Sequence, residues 1–147
     1  MSQRILVSQA VIKMPCLLKT AVDTINSLKK HPLIGMQIKE TPNGIQGASF
    51  FYNQNATYFA KHVNLQFVGS KTIEYDQFGS LTKGHFVLRG DEDFEENRKL
   101  GSLIGDHYIA QSIKTTFESR GYAIGLEFGA DDTIQMTREK ITAPAGY

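Results

Sequence analysis

Apolar and polar residues recur along this chain in two rhythms, one with a helical period and one that alternates. Leu17, Leu18, Ala21, Val22, Ile25 and Leu28 fall one, three or four positions apart. That spacing lays them on one helical stripe. Pro15 suits a first turn, where its missing N–H costs nothing, and Pro32 stops the run. A helix is therefore predicted over residues 15–30, with Lys29, Lys30 and His31 in the last turn against the negative dipole end. A second helix is predicted over residues 94–120. Its apolar positions, Leu100, Leu103, Ile104, Tyr108, Ile109, Ala110, Ile113 and Phe117, form two adjacent stripes. A helix apolar over so much of its girth is central, or packs on a sheet and also on a second surface. Gly101 and Gly105 predict a kink or break in its first half, and Gly121 closes it.

The remaining segments alternate. Residues 4–12 are rich in β-branched side chains and read as a strand. Met36, Ile38 and Glu40 begin another, Asn43-Gly44 signals a hairpin, and residues 45–52 return. From residue 59, Phe59, Lys61, Val63, Leu65 and Phe67 share one face, with Ala60, His62, Asn64 and Gln66 on the other. Residues 71–76 and 85–89 are further strand candidates. The chain closes with a hairpin, residues 122–128 turning at 129–132 and returning through Ile134 and Met136. The order is β, α, several β, long α, β, β. Short turns between neighbouring strands favour an antiparallel sheet, so the expected fold is α+β: a two-layer sandwich, mainly antiparallel, with two helices on one face. Residues 1–142 form a single domain in this reading, and residues 143–147 a frayed tail.

Composition narrows the classes. A chain of 147 residues with 41% hydrophobic and 21% charged residues suits one globular core. One cysteine excludes a disulfide scaffold. No apolar run reaches the roughly 20 residues of a membrane helix, and residues 1–4 have no apolar stretch behind them, so neither a membrane nor a secretory signal is expected and the setting is read as cytoplasmic. The net charge of +1 conceals an asymmetry: residues 1–73 carry eight Lys/Arg and two acids, residues 74–147 eight and thirteen. Either the halves interleave in space and cancel, or they form a dipolar surface for anionic ligands or self-assembly.

Candidate chemistry is sparse. His107 and Gln111 lie one helical turn apart and, with Tyr108, form a candidate ligand-binding strip; the alternative is a satisfied, partly buried histidine. Asp106 is adjacent but points to another face. Asp91, Glu92, Asp93, Glu95 and Glu96 form an acidic cluster that lacks the glycine of a calcium loop and suits a helix N-terminus instead. Cys16 occupies the first turn of the first helix, either as an activated thiol or as a small hydrophobe. Lys61 and Lys71, lying among Tyr52, Tyr58, Phe59 and Phe67, could stack and steer a single nucleic-acid strand, with Tyr58 as the exposed ring. Phe59 and Phe67 read as core, which weighs against it. Zinc spacings, a phosphate loop and a nucleophile elbow are all missing, so no metal and no cofactor are expected.

The segment 8–25 with Ile12-Lys13 ahead of the first helix, and the stretch from His107 to Lys114 running into Gly121-Tyr122-Ala123-Ile124 and Ile134-Gln135-Met136, carry a resemblance. The chain resembles the plastid and cyanobacterial "hypothetical chloroplast reading frame thirty-five" family, which has relatives in phages. The middle strands differ in length and spacing. The resemblance implies a fold and an intracellular setting, and no activity or site residue. The expected function is thus a small non-catalytic interaction or regulatory domain that binds a protein partner or itself through a sheet face or edge. The alternatives are nucleic-acid binding by the basic half, and a small enzyme using His107, Asp106 and the acidic cluster.

Overall fold

A computed structural model describes residues 3–69 and 72–141. Five strands, β1 (Arg4–Leu6), β2 (Ile34–Thr41), β3 (Gly44–Tyr52), β4 (Val63–Val68) and β5 (His85–Asp91), form an antiparallel sheet in the order β1-β5-β4-β3-β2. Helices α1 (Cys16–Leu28) and α2 (Glu95–Glu118) cover it, and β6 (Tyr122–Phe128) and β7 (Ile134–Lys140) make a separate two-stranded hairpin.

Period two decides the faces. The row Ile5, Gly90, Val63, Phe50, Met36 runs across the five strands in register. Its side chains share one core with Leu18, Val22 and Ile25 of α1 and Leu100, Ile104 and Tyr108 of α2. Both helices therefore sit on one face, as the pattern predicts. The next row, Leu6, Arg89, Asn64, Ser49, Gln37, points the other way. It is hydrogen-bonded within itself. Arg4 Nη2 donates to Asn64 Oδ1 and to the carbonyls of Arg89 (3.1 Å) and His62 (3.3 Å), Arg89 Nη1 donates to the Arg4 carbonyl, and Asn64 Nδ2 donates to Ser49 Oγ at 2.9 Å.

α2 runs unbroken through Gly101 and Gly105, without the expected break. The glycines serve close approach instead. After β1 the chain leaves the sheet at Val7 and rejoins it only at Ile12, which bridges Phe86, so the predicted strand over 4–12 is interrupted. The intervening loop presses on α2: a Cβ at Gly101 would collide with Val7, and one at Gly105 with Ser8. The opposite side of α2 carries Ile109, Ala110 and Ile113 and receives the β6–β7 hairpin. The two-sided apolar girth thus corresponds to two contacts. The fold is α+β and mainly antiparallel, as expected, with the hairpin packed on α2 as a sheet of its own.

Other boundaries move for local reasons. α1 ends at Leu28 because Lys29 turns left-handed (φ 55°), so Lys29, Lys30 and His31 follow the helix rather than lie in its last turn. The β2–β3 loop closes on Thr41 and Gly44 over Pro42-Asn43. An Asn43-Gly44 loop would need Pro42 in the closing pair, where it has no N–H to give. Residues Phe59–Lys61 form a 3₁₀ turn rather than the start of β4, and Phe59 is 80% exposed, so it is not core; Phe67 packs against the core as expected. Among the described residues of the predicted strand over 71–76, only Tyr75 makes a bridge, to Leu81. The proposed tail, residues 143–147, lies outside the described residues, as does Lys71.

Candidate functional site

The sequence-predicted strip does not form one site. Tyr108 is buried on the sheet side, and its hydroxyl accepts hydrogen bonds from the backbone N–H groups of Lys13 (3.1 Å) and Met14 (3.0 Å), fixing the approach to α1. His107 is 2% exposed, and its ring stacks on Phe128 at 5.2 Å between centroids. Its Nδ1 has no hydrogen-bond partner. Gln111 is also buried. These residues bind the layers together.

Lys61 and Tyr58 do meet, but in the company of residues from the start of α2. Lys61 Nζ lies 3.2 Å from Glu96 Oε1 and 5.7 Å from the ring centres of both Tyr58 and Phe94. Tyr58 packs edge-on against Phe94. Asn55 Nδ2 donates to the other Glu96 oxygen at 2.8 Å. The cation expected to hold phosphate is therefore paired within the fold. Glu95 and Glu96 occupy the first turn of α2, where the positive dipole end favours them, and Asp91 Oδ1 accepts from the backbone of Asp93. No metal-holding group of His, Cys, Asp or Glu exists among the described residues. Cys16 is free and exposed.

The polar groups that do converge lie where the hairpin turn meets the end of α1. Asp131 Oδ1 accepts from the Thr133 backbone at 3.3 Å and from its hydroxyl, and Asp132 takes a left-handed φ of 66°, so the turn is shaped by its own side chains. His31 Nε2 approaches Asp132 Oδ1 at 2.7 Å, and Lys30 Nζ donates to the carbonyls of Phe128 and Gly129. Two of the three ion pairs among the described residues, His31–Asp132 and Lys61–Glu96, join the basic half of the sequence to the acidic half. The halves interleave at these points.

A cleft of about 560 Å³ opens beside this corner, between α2 and the hairpin. Ile109, Ala110, Ile113, Ile134 and Met136 form its walls, and Asp106, Asp131, Asp132 and Thr133 one end. It is open to solvent, and Ile109 and Ile113 stay 40% and 38% exposed. A second cleft of about 380 Å³ lies on the other side of Asp106 and Asp132, against His31, Tyr52, Lys99, Ser102 and Leu103. His107, Tyr108 and Gln111 line neither cleft. Of these linings the sequence singled out Asp106, and Tyr52 as one of the aromatics near Lys61, for chemistry. Nothing in the sequence marks Asp131 and Asp132 beyond their place in a turn.

No protein-family model, curated protein or solved structure matches this chain. Site chemistry has to speak for itself. Burial raises the Asp106 carboxyl above its ordinary value and the charge of Asp132 adds to this; hydrogen bonds from Thr133 lower that of Asp131. Burial holds the His107 imidazole below its ordinary 6.5; Asp132 opposes that shift, and His31 and Lys30 reinforce it. A base with a depressed folded-state pKa binds fewer protons folded than unfolded. Stability therefore falls as pH drops from about 6.5 toward the folded value. Asp106 acts in the opposite sense, its contribution being complete below 3.8 and lost as pH rises through its raised value. Urea titrations at pH 7.5 and 5.5 should show a larger loss for the wild type than for His107→Phe, which keeps the stack on Phe128 and removes the titration. Equal losses would exclude His107 as the source.

Proposed function

We propose that the protein is a non-catalytic interaction domain, and that its contact surface is the cleft between α2 and the β6–β7 hairpin. The observation that carries this reading is an open groove walled by Ile109, Ala110, Ile113, Ile134 and Met136, whereas the sheet face and edges are less suited to a partner. The outer sheet face bonds to itself through Arg4, Asn64 and Arg89. The free edge of β2 is blunted: Asn26 of α1 donates to the Ile34 carbonyl at 3.0 Å and accepts from its N–H at 2.8 Å, imitating a further strand for one residue. A bulge at Lys39/Glu40 disturbs the far end, and β1, at the other edge, is three residues long. Such features discourage strand addition. The apolar walls of the cleft, by contrast, gain about 25 cal/mol per Å² when a partner removes them from water.

The test is site-specific photo-crosslinking in the native host, with the crosslinker placed in turn at position 113 in the cleft and at position 66 on the outer sheet face. A different protein should be captured at 113 and lost when Ile109→Ser is added. Capture at 66 alone, or at neither position, counts against the cleft; a crosslinked dimer of this chain replaces the foreign partner by a second copy. No helix among the described residues is long and apolar enough to cross a membrane.

A further inference from the structure

Three features of the molecule stand outside the fold's own needs: a small cavity beside Cys16 and Tyr75, the exposed ring of Phe59, and the polarity of the α2–hairpin cleft. The first offers a lone thiol, and the second a ring already tilted against His62 at 5.3 Å. The cleft carries more.

α2 and β7 run side by side along it. α2 lines it with Asp106, Ile109, Ala110 and Ile113 and β7 with Ile134 and Met136, and the Asp132 charge acts on Asp106. On β7, residues 134, 136 and 138 share a face, and the Arg138 guanidinium lies 5.0 Å from the Phe117 ring centre and 5.2 Å from that of Tyr122. The groove is therefore acidic at the turn end and apolar along its walls, and Arg138 lies past Met136 on the same strand face, over two aromatic rings. From Asp106 to Phe117, beside which Arg138 lies, α2 measures about 16 Å at 1.5 Å per helical residue. An extended chain covers that with about five residues.

The acidic end is under-neutralised. Asp106 and Asp131 have no ion-pair partner among the described residues, and Asp132 has only His31. Lys30 directs its ammonium to the carbonyls of Phe128 and Gly129. Lys99 borders the second cleft, across Asp106, and does not line this one. A cation arriving from outside meets two exposed carboxylates without ion-pair partners beside apolar walls, an attraction that salt screens.

Building on the reading of the cleft as the contact surface, we propose that it receives a segment of a partner protein that carries lysine or arginine at one end of a short apolar stretch. The cation lies against Asp106 and Asp131, alternate apolar side chains lie on Ile109, Ile113, Ile134 and Met136, and Arg138 repels a second cation at the far end. Charge thus sets the direction of the bound segment, and the apolar walls supply most of the affinity.

The probes are heptapeptides with two lysines followed by alternating leucine and serine, made in both chain directions, and counterparts with glutamate in place of lysine. Fluorescence anisotropy at low salt should show a lysine peptide binding at least tenfold tighter than its glutamate counterpart. Added salt should weaken it. Asp106→Asn with Asp131→Asn should abolish most of the preference, and Ile109→Ser with Ile113→Ser should abolish binding of every peptide. Amide-shift mapping on the wild-type protein should place the perturbations at residues 106–113 and 131–136, which needs no variant to fold. Equal binding of both charge types, or a preference unchanged in the Asp variant, overturns the basic partner while leaving the cleft as a contact surface, provided the Ile variant loses both. If neither peptide binds, or if binding survives in the Ile variant, the cleft reading falls as well.

Discussion

Asn97→Asp should cost about 4 kcal/mol at pH 7.5, the penalty of an uncompensated buried charge. At roughly 3 °C per kcal/mol for a chain of this size, the melting temperature should drop by about 12 °C. Asn97 is 0% exposed. Its Nδ2 donates to the Ala60 carbonyl at 2.8 Å and the Asp91 carbonyl at 3.1 Å, so one side chain ties the first turns of α2 to the end of β5 and to the segment that precedes β4. Aspartate offers no donor when ionised and turns an oxygen toward both carbonyls. Protonation restores one donor. The carboxyl is therefore raised in the folded variant, and the deficit against wild type should shrink as pH falls through that raised value. Thermal melts at pH 7.5 and 4.5 measure this. A variant that melts with the wild type at pH 7.5 would show that the two hydrogen bonds contribute little.

Gly101→Ala should also destabilise, against helix propensity. Alanine favours a helix interior by about 1 kcal/mol over glycine. Here the added methyl would stand 2.6 Å from Val7 Cβ and 2.9 Å from the Val7 carbonyl oxygen. Val7 cannot retreat freely, because its N–H donates to the Leu88 carbonyl at 3.0 Å and its carbonyl accepts from Ser102 at 3.3 Å. Overpacking strain of about 3 kcal/mol outweighs the propensity gain and leaves a net loss of about 2 kcal/mol, or about 6 °C. Gly47→Ala, with nothing within 4 Å of the added atom, is the matched control and should melt within a degree or two of the wild type. A stabilised Gly101→Ala protein would mean that the loop at residues 7–11 yields.

These two positions show where reading the chain succeeds and fails. Gly101 and Gly105 are visible as helix weakeners, and a kink is the local inference from them. Their actual use depends on a loop some ninety residues earlier in the chain. Asn97 lies at helical spacing from Leu100, Gly101, Ile104 and Tyr108, so a signal for its burial is present in the stripe, though a polar residue near a helix start reads more readily as solvated. His107 and Tyr108 read from the sequence as ligand-binding candidates, and the structure buries both, one under Phe128 and the other against the backbone before α1. The cleft was hardly legible. Ile109, Ile113, Ile134 and Met136 are ordinary core-type residues until the hairpin is docked on α2, and Asp131 and Asp132 are ordinary turn residues until that docking brings them beside Asp106.

Hydrophobic period and turn chemistry act over a few residues, so the sequence alone determines the two helices, the β2–β3 and β6–β7 hairpins, the antiparallel preference and the sheet face that packs. Which apolar stripe of α2 meets the sheet and which meets the hairpin, where a missing Cβ is needed, and which carboxylates gather at one end of a groove depend on contacts between residues tens of positions apart. Those are decided only by packing, because an amphipathic element states how much surface it must bury and leaves the choice of partner to the rest of the chain.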